Sequence, residues 1–355
     1  MKKKLSLKLI GSIWLILLLF IPAKAQTQTP PKIYRIEVRT ATFGGSTYIL
    51  GFAISDILNK KSTWVRGSVL ESTGTTSCIK TVGGDPGKRK RTIINCAADT
   101  FFKAKNGEPP FEKNAELYKD VMILMFQQYL GTMFVTIDPN IKTLADLKGK
   151  RVATWPRGTT KFEHGYNLIA GAGKEVLDSI QWQYTAYAGY EDLIVKKVDA
   201  ALGYCSAMGP GQYSPLPQLK ELMTKRRIYF ITATPEMRLN SRKLFGDAYG
   251  ATVKLKANIF GTGIPRQDIL CFNAVLAWGI YPNVPEDVVY EIIKTLNENH
   301  AMFKEYHSSG KNVLPETYGL YPAPKEYWHP GARKYYDEKG IGYGTDYFFN
   351  VFKTD

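Results

Sequence analysis

An α/β fold with mainly parallel sheets is what this sequence predicts, on two observations. Strand-like and helix-like periods alternate along the chain from Tyr34 to Tyr204, as they do where strands are joined by crossover helices. Three of the strand-like runs end in turns rich in Gly, Ser and Thr, and each turn opens a helix-like run. In parallel sheets ligands sit beyond the carboxyl ends of strands, so these turns point to one shared pocket.

The first strand is residues 34–40, where Tyr34, Ile36 and Val38 alternate with Arg35, Glu37 and Arg39. Its turn carries Gly45, Ser46, Thr47 and Tyr48, and leaves backbone N–H groups uncovered at a helix N-terminus, an arrangement that binds anions. Across residues 48–59 the period becomes helical, with Ile49, Leu50, Ala53, Ile54, Ile57 and Leu58 on one stripe. Residues 65–70 form a second strand, and its turn holds Thr73, Gly74, Thr75 and Thr76. The basic, turn-forming residues 83–91 read as a solvated loop. Residues 92–97 are β-prone and lead to Asp99, which suits either a cap or a site. Two apolar runs, 121–126 and 132–137, are split by residues 127–131. Residues 141–152 read as a short helix leading into a strand, and the third turn follows with Trp155, Arg157, Gly158, Thr159 and Thr160. Residues 162–172 and 190–195 are helical and 198–204 a strand. Tyr48, Trp155, Tyr184 and Tyr204 offer apolar walls for the pocket. Residues 269–278 form a long buried strand, Pro285 starts a helix striped by Val288, Val289, Ile292, Ile293 and Leu296, and the apolar tail 347–352 packs on the body.

Residues 1–25 combine Lys2, Lys3 and Lys4, an apolar run and the small residues Ala23 and Ala25, which predicts a cleaved signal peptide and a soluble mature chain outside the cytoplasm. The formal charge of +15 then falls to 42 basic against 32 acidic residues, a net +10 that attracts anionic solutes or an anionic membrane surface. Nucleic acid is excluded as a partner of such an exported chain, which has no motif for it. With 44% hydrophobic and 22% charged residues, the chain is globular. The cysteines Cys78, Cys96, Cys205 and Cys271 lack metal-ligand spacing. Either Cys78 and Cys96 bridge the insertion between them, or the cysteines are buried thiols, and a Cys205–Cys271 pair is equally open.

No catalytic constellation is present: there is no nucleophile elbow, metal-binding histidine pair motif or phosphate loop. His300 and His307 are expected on one helix face but lack further ligands. His164 lies just beyond the third turn and suits hydrogen bonding to an anion. No enzyme activity, cofactor or metal is therefore expected.

The chain resembles the TAXI subfamily of solute-binding proteins of TRAP transporters over nearly all its mature length. Residues 40–51 match the family's opening T-G…G-T-Y-Y…G segment, IKTLADLKGKRV (141–152) its approach to a second lobe, and residues 190–200 its helix followed by a D-A strand. Asp99 and Thr100, with Ala104 and Gly107, fall on a further pattern, and residues 329–340 match the closing H-P-G-A…Y-Y-x-E-x-G. The resemblance implies a two-lobed, hinged periplasmic-binding-protein fold of type II. Lobe I would comprise residues 32–136 and 270–355, and lobe II residues 137–269. It also implies a monomer in the periplasm that closes on a dicarboxylate, keto acid or acidic amino acid and hands it to TRAP membrane permease subunits. A ligand sensor reporting to a membrane receptor or sensor kinase is the alternative. The ligand-binding turns carried over are Gly45 to Tyr48, Thr73 to Thr76, and Gly158 to Thr160. Departures stand at Ser46-Thr47 for the usual Thr-Tyr, Cys78 for an Asn and Ala97 for a Gln, so two polar contacts of the pattern are missing, while Trp155 and Arg157 add bulk and charge.

Overall fold

The computed structural model describes residues 32–157, 159–186, 189–209, 212–245 and 252–351. The expected leader, 1–25, and the candidate Gly158 lie outside them.

The chain begins β1 (Tyr34–Arg39), α1 (Ser46–Lys61), β2 (Val65–Leu70), α2 (Thr75–Gly83), the single turn α3 (Pro86–Arg89), β3 (Thr92–Ala97) and α4 (Ala98–Asn106). The long β4 (Met122–Thr136) leads to β5 (Arg151–Thr154), α5 (Thr160–Ala170), α6 (Lys174–Ser179), β6 (Gln181–Tyr184), α7 (Gly189–Ile194) and β7 (Ala200–Gly209). Then come β8 (Gln212–Pro215), α8 (Pro217–Lys225), β9 (Tyr229–Ile231), α9 (Pro235–Phe245) and β10 (Thr252–Leu255). A second long strand, β11 (Ile269–Ile280), precedes α10 (Glu286–Glu298), α11 (Phe303–Tyr306), α12 (Pro330–Lys339) and α13 (Thr345–Val351).

One curled sheet runs in the order β2-β1-β3-β11-β4-β7-β5-β6. The α/β expectation holds, and the parallel pairs form two patches: β1 with β2 and β3, and β5 with β6 and β7. Between them β4 and β11 run antiparallel to each other, β11 antiparallel to β3, and β4 antiparallel to β7, so the sheet is mixed. The reason is that the chain crosses between the two patches along these long strands, each opposed to its neighbours.

Residues 127–131, expected to split two apolar runs, are instead continuous with β4. The polar Gln127 and Gln128 are tolerated because β4 carries one extra residue there: Gln128 faces Leu276 on β11, whereas Ala277 faces Phe126. Such a bulge re-aims side chains next to a site. The basic segment 83–91 is likewise built into the fold. Asp85 caps α3, Arg89 donates to the carbonyls of Gly83 and Leu117 and lies over the Tyr281 ring, and Arg91 faces Glu37. The four cysteines are free and buried. The Cys78 thiol faces the carbonyl of Thr40, and burial pushes it up to about 11. His300 and His307 do not share a helix face. His300 starts a 3-10 turn, and His307 is already extended beyond α11, accepting from the Ser309 N–H.

The closing motif acts through packing. His329 caps α12 and its Nε2 reaches the Val284 carbonyl, with Pro330 in the first turn, where its missing N–H costs nothing. α10 lies alongside with its predicted stripe buried, joined through the Tyr290–Tyr335 ring contact. Phe348 is buried on the tail helix, as expected. No helix among the described residues is long and apolar enough to cross a membrane.

α1 sits close to the sheet because Gly51 has no side chain. A Cβ there would stand 2.3 Å from Thr40 Cγ2 and 3.1 Å from Trp278. Thr40 is unable to yield, since its hydroxyl donates to the Leu70 carbonyl across β1 and β2. Gly51→Ala is therefore expected to destabilise the protein by about 1–3 kcal/mol through overpacking, read from the midpoint of urea unfolding.

Candidate functional site

The site is built from three strand-to-helix turns and one strand. α1 begins after Gly45 and α2 after Gly74, and neither start is capped by a side chain. Gly74 has φ of +132°, a conformation glycine alone adopts without strain, and open space lies where its Cβ would be. α4 begins after Ala97, again without a capping side chain.

A chain of buried hydrogen bonds ties these helix starts together. The Thr47 hydroxyl donates to Gln127 Oε1 at 3.1 Å, and Gln127 Nε2 donates to Asn95 Oδ1 at 3.4 Å. Asn95 Nδ2 in turn donates to the Thr75 hydroxyl at 3.2 Å, which also accepts from the Ala97 N–H at 3.1 Å. Gln128 Nε2 donates to Ser46 at 3.0 Å and Thr47 at 3.2 Å. Thus β3 and the bulge of β4 hold α1, α2 and α4 with their positive ends at one place. Gln127 is fully buried, and Gln128 Oε1 is a buried acceptor with no donor among the described residues. Asn95, Gln127 and Gln128 were missed in the sequence. Their signal was a polar side chain inside an apolar strand, which must find buried partners.

The turn after β5 meets this cluster from the other half of the sheet. The hydroxyls of Thr100 on α4 and Thr160 on α5 lie 3.3 Å apart, and Lys103 pairs with Glu163. Asp99 Oδ2 lies 3.7 Å from His164 Nε2, both side chains almost fully buried. Burial alone would raise the Asp99 carboxyl. The His164 charge, the Thr100 backbone N–H and Lys103 outweigh it and hold the carboxyl below its ordinary range. Asp99 therefore occupies the positive end of α4, and the starts of α1 and α2 stay open.

The other candidates are placed as follows. Tyr204 is buried, donates to the Lys161 carbonyl and stands edge-on to Trp155. Lys161 Nζ lies 4.6 Å from the Trp155 ring centre. Thr159 caps α5. Tyr48 is half-buried against the exposed Phe43, Thr73 is exposed and Thr76 half-buried. Arg157 is exposed and turned to its own side: Nε donates to the Tyr184 hydroxyl at 2.7 Å, and its guanidinium lies over Phe162. The structure thus joins Ser46, Thr47 and Thr75 in one network and Asp99 and Thr160 at its edge, while Arg157 and Tyr184 form a separate surface pair. Among the described residues no three His, Cys, Asp or Glu side chains gather as metal ligands.

Two outcomes follow. Gln127→Leu strands the Thr47 hydroxyl and Asn95 amide in a buried place and is expected to cost about 1–3 kcal/mol in urea unfolding. Because the Asp99 carboxyl is held low in the folded state, its stabilisation is present above the ordinary carboxylate range and is lost as pH falls through the lowered value. Asp99→Asn is expected to be less stable than the wild type near neutrality and to lose less on acidification from about pH 7 to about pH 3, measured by unfolding at each pH.

A family profile described as NMT1-like matches residues 38–340, from β1 to the residue that ends α12. No curated protein matches the chain. Among solved structures, the chain is similar to a TctC solute-binding protein from Polaromonas, at 14% identity and a TM-score of 0.42, over 92% of this chain and 96% of that one. It is similar to MatC from Rhodopseudomonas palustris, solved with bound malate, at 12% identity and a TM-score of 0.47, over 91% and 100% of the two chains. It is also similar to the periplasmic aliphatic sulphonate binding protein SsuA from Escherichia coli, at 14% identity and a TM-score of 0.44, over 91% and 100%. With most of its length inside the matched profile, the chain belongs to the NMT1-like family.

Proposed function

We propose that this NMT1-like chain is a periplasmic solute-binding subunit of the TAXI kind that captures a small organic carboxylate and delivers it to a TRAP-type membrane permease. One observation carries the reading: two uncapped helix starts, α1 and α2, are held side by side by the Thr47–Gln127–Asn95–Thr75 hydrogen bonds. Their free N–H groups and positive dipole ends suit a carboxylate without a contacting cation. Gln128 Oε1, buried and without a donor, suits a hydroxyl or ammonium group on the same ligand.

In this reading residues 32–136 and 270–355 act as one lobe, 137–269 as the other, and β4 and β11 as the crossings about which they close. The contacts of α4 with α5, through Thr100, Lys103 and Asp99, support a closed arrangement in which water is excluded and the anion contacts strengthen. Trp155 and Tyr204 wall the ligand from the second lobe. Arg157, held by Tyr184, contributes long-range attraction and no direct contact. The function is binding without turnover.

The decisive measurement is mass spectrometry of the ligand released on denaturation, followed by calorimetry with small dicarboxylates, keto acids and acidic amino acids. A carboxylate recovered unchanged is expected. A neutral or cationic ligand would overturn the anion reading, and a chemically altered one would restore an enzyme. Gly74→Ala, which strains α2 and fills the open space, is expected to weaken binding at least about tenfold. Arg157→Ala is expected to weaken it only about two- to threefold, and only at low ionic strength.

A further inference from the structure

A second cleft lies at the far end of β4, where that strand pairs with β9 through Phe134 and Thr136. Gln128 and Thr136 are separated by roughly 25 Å of strand, so this cleft is distinct from the helix-start network. It has a volume of about 290 Å³. Its walls come from both places where the chain passes between the two patches of parallel strands: the segment leaving β4, with Ile141 and Lys142, and the segment approaching β11, with Pro265, Arg266 and Ile269. Phe230 and Ile228 close it from β9 and the residue before it. Ile141, Phe230 and Ile269 are buried and form its apolar floor.

The two charged residues on its lining, Lys142 and Arg266, are both cationic, beside the neutral Tyr229 and Gln267. Arg266, on the lining, and Arg227, outside it, lie 5.7 Å and 5.6 Å from the centre of the Tyr229 ring, and Lys142 is the second cation on the lining. No acidic side chain among the described residues lines the cleft. Among the described residues none of these three cations makes an ion pair, unlike Lys254 and Lys256, which share Asp268. Two like charges on an apolar depression, with Arg227 on the same Tyr229 ring as Arg266, give it a positive potential that an anion seated there neutralises. Guanidinium groups fit carboxylate and sulfonate oxygens with paired hydrogen bonds. The volume sits near the lower end of the range for small-molecule pockets.

We propose that this cleft is a second binding site, for a small amphipathic anion with one carboxylate or sulfonate group on an apolar or aromatic body. The body lies on Ile141, Phe230 and Ile269, and the charged head meets Arg266 and Lys142. Because its walls belong to both crossing segments, an occupant bridges them.

The probe is 4-phenylbutyrate, titrated into the full protein by calorimetry at low salt, with its neutral amide as control. Saturable binding is expected, weakened at least about tenfold by Arg266→Glu, less by Arg266→Lys, and at least about tenfold for the amide. Arg266 is exposed, so these variants keep the fold, which circular dichroism checks. Gly74→Ala, at the other site, is expected to leave the affinity unchanged. Loss in Gly74→Ala with no change in Arg266→Glu would place the probe in the first site and overturn the proposal. So would equal binding of the amide, or no saturation by about 10 mM.

Discussion

Buried polar groups must be paired, and this constraint organises the whole first half of the sheet. Gln127 and Gln128 sit inside a strand that is otherwise apolar, so each amide has to find partners away from water. The bulge in β4 gives both a way to reach α1, and Asn95 carries the chain on to Thr75 and the start of α4. The bonds made by Gln127 and by Gln128 Nε2 orient three helices, while Gln128 Oε1 has no donor among the described residues. Asp99 takes the start of α4, and the N–H groups at the starts of α1 and α2 are left facing one place, on which the proposed anion site rests.

The two sides of the sheet meet through contacts of different strength. Lys103 and Glu163 are each about one-fifth exposed, so water screens the pair and its net worth is small. Asp99 and His164 are almost wholly buried, where charges interact strongly but also lose their hydration. Asp99 has further support from Thr100 and from the positive end of its own helix. The partly exposed pair thus adds little, while the buried Asp99 carboxyl, held below its ordinary range, makes the junction of α4 and α5 sensitive to acid.

Positive charge is distributed in two distinct ways. Most of the basic insertion is consumed by the fold, with Arg89 bonded to carbonyls and Lys88 paired with Asp85. Around the distal cleft Lys142, Arg227 and Arg266 make no side-chain ion pair among the described residues, although Asp146 lies near Lys142. The net charge of the chain conveys nothing of this division, because what separates a structural cation from an available one is the geometry of its neighbours.

The sequence by itself determined the element pattern and the helix starts. Period changes placed β1, α1, β2 and α10 within a few residues, because apolar spacing reflects which face is buried. Gly, Ser and Thr at strand ends marked Ser46, Thr47 and Thr75, because these residues leave or accept backbone hydrogen bonds locally. Only the tertiary structure decided the partners. The pairing of residues 128–131 with β11, the link from Gln127 to Asn95, the meeting of Asp99 with His164 and the engagement of Arg157 by Tyr184 all join residues far apart in sequence. Such contacts depend on sheet order and on one extra residue in a strand, neither of which leaves a local period to read.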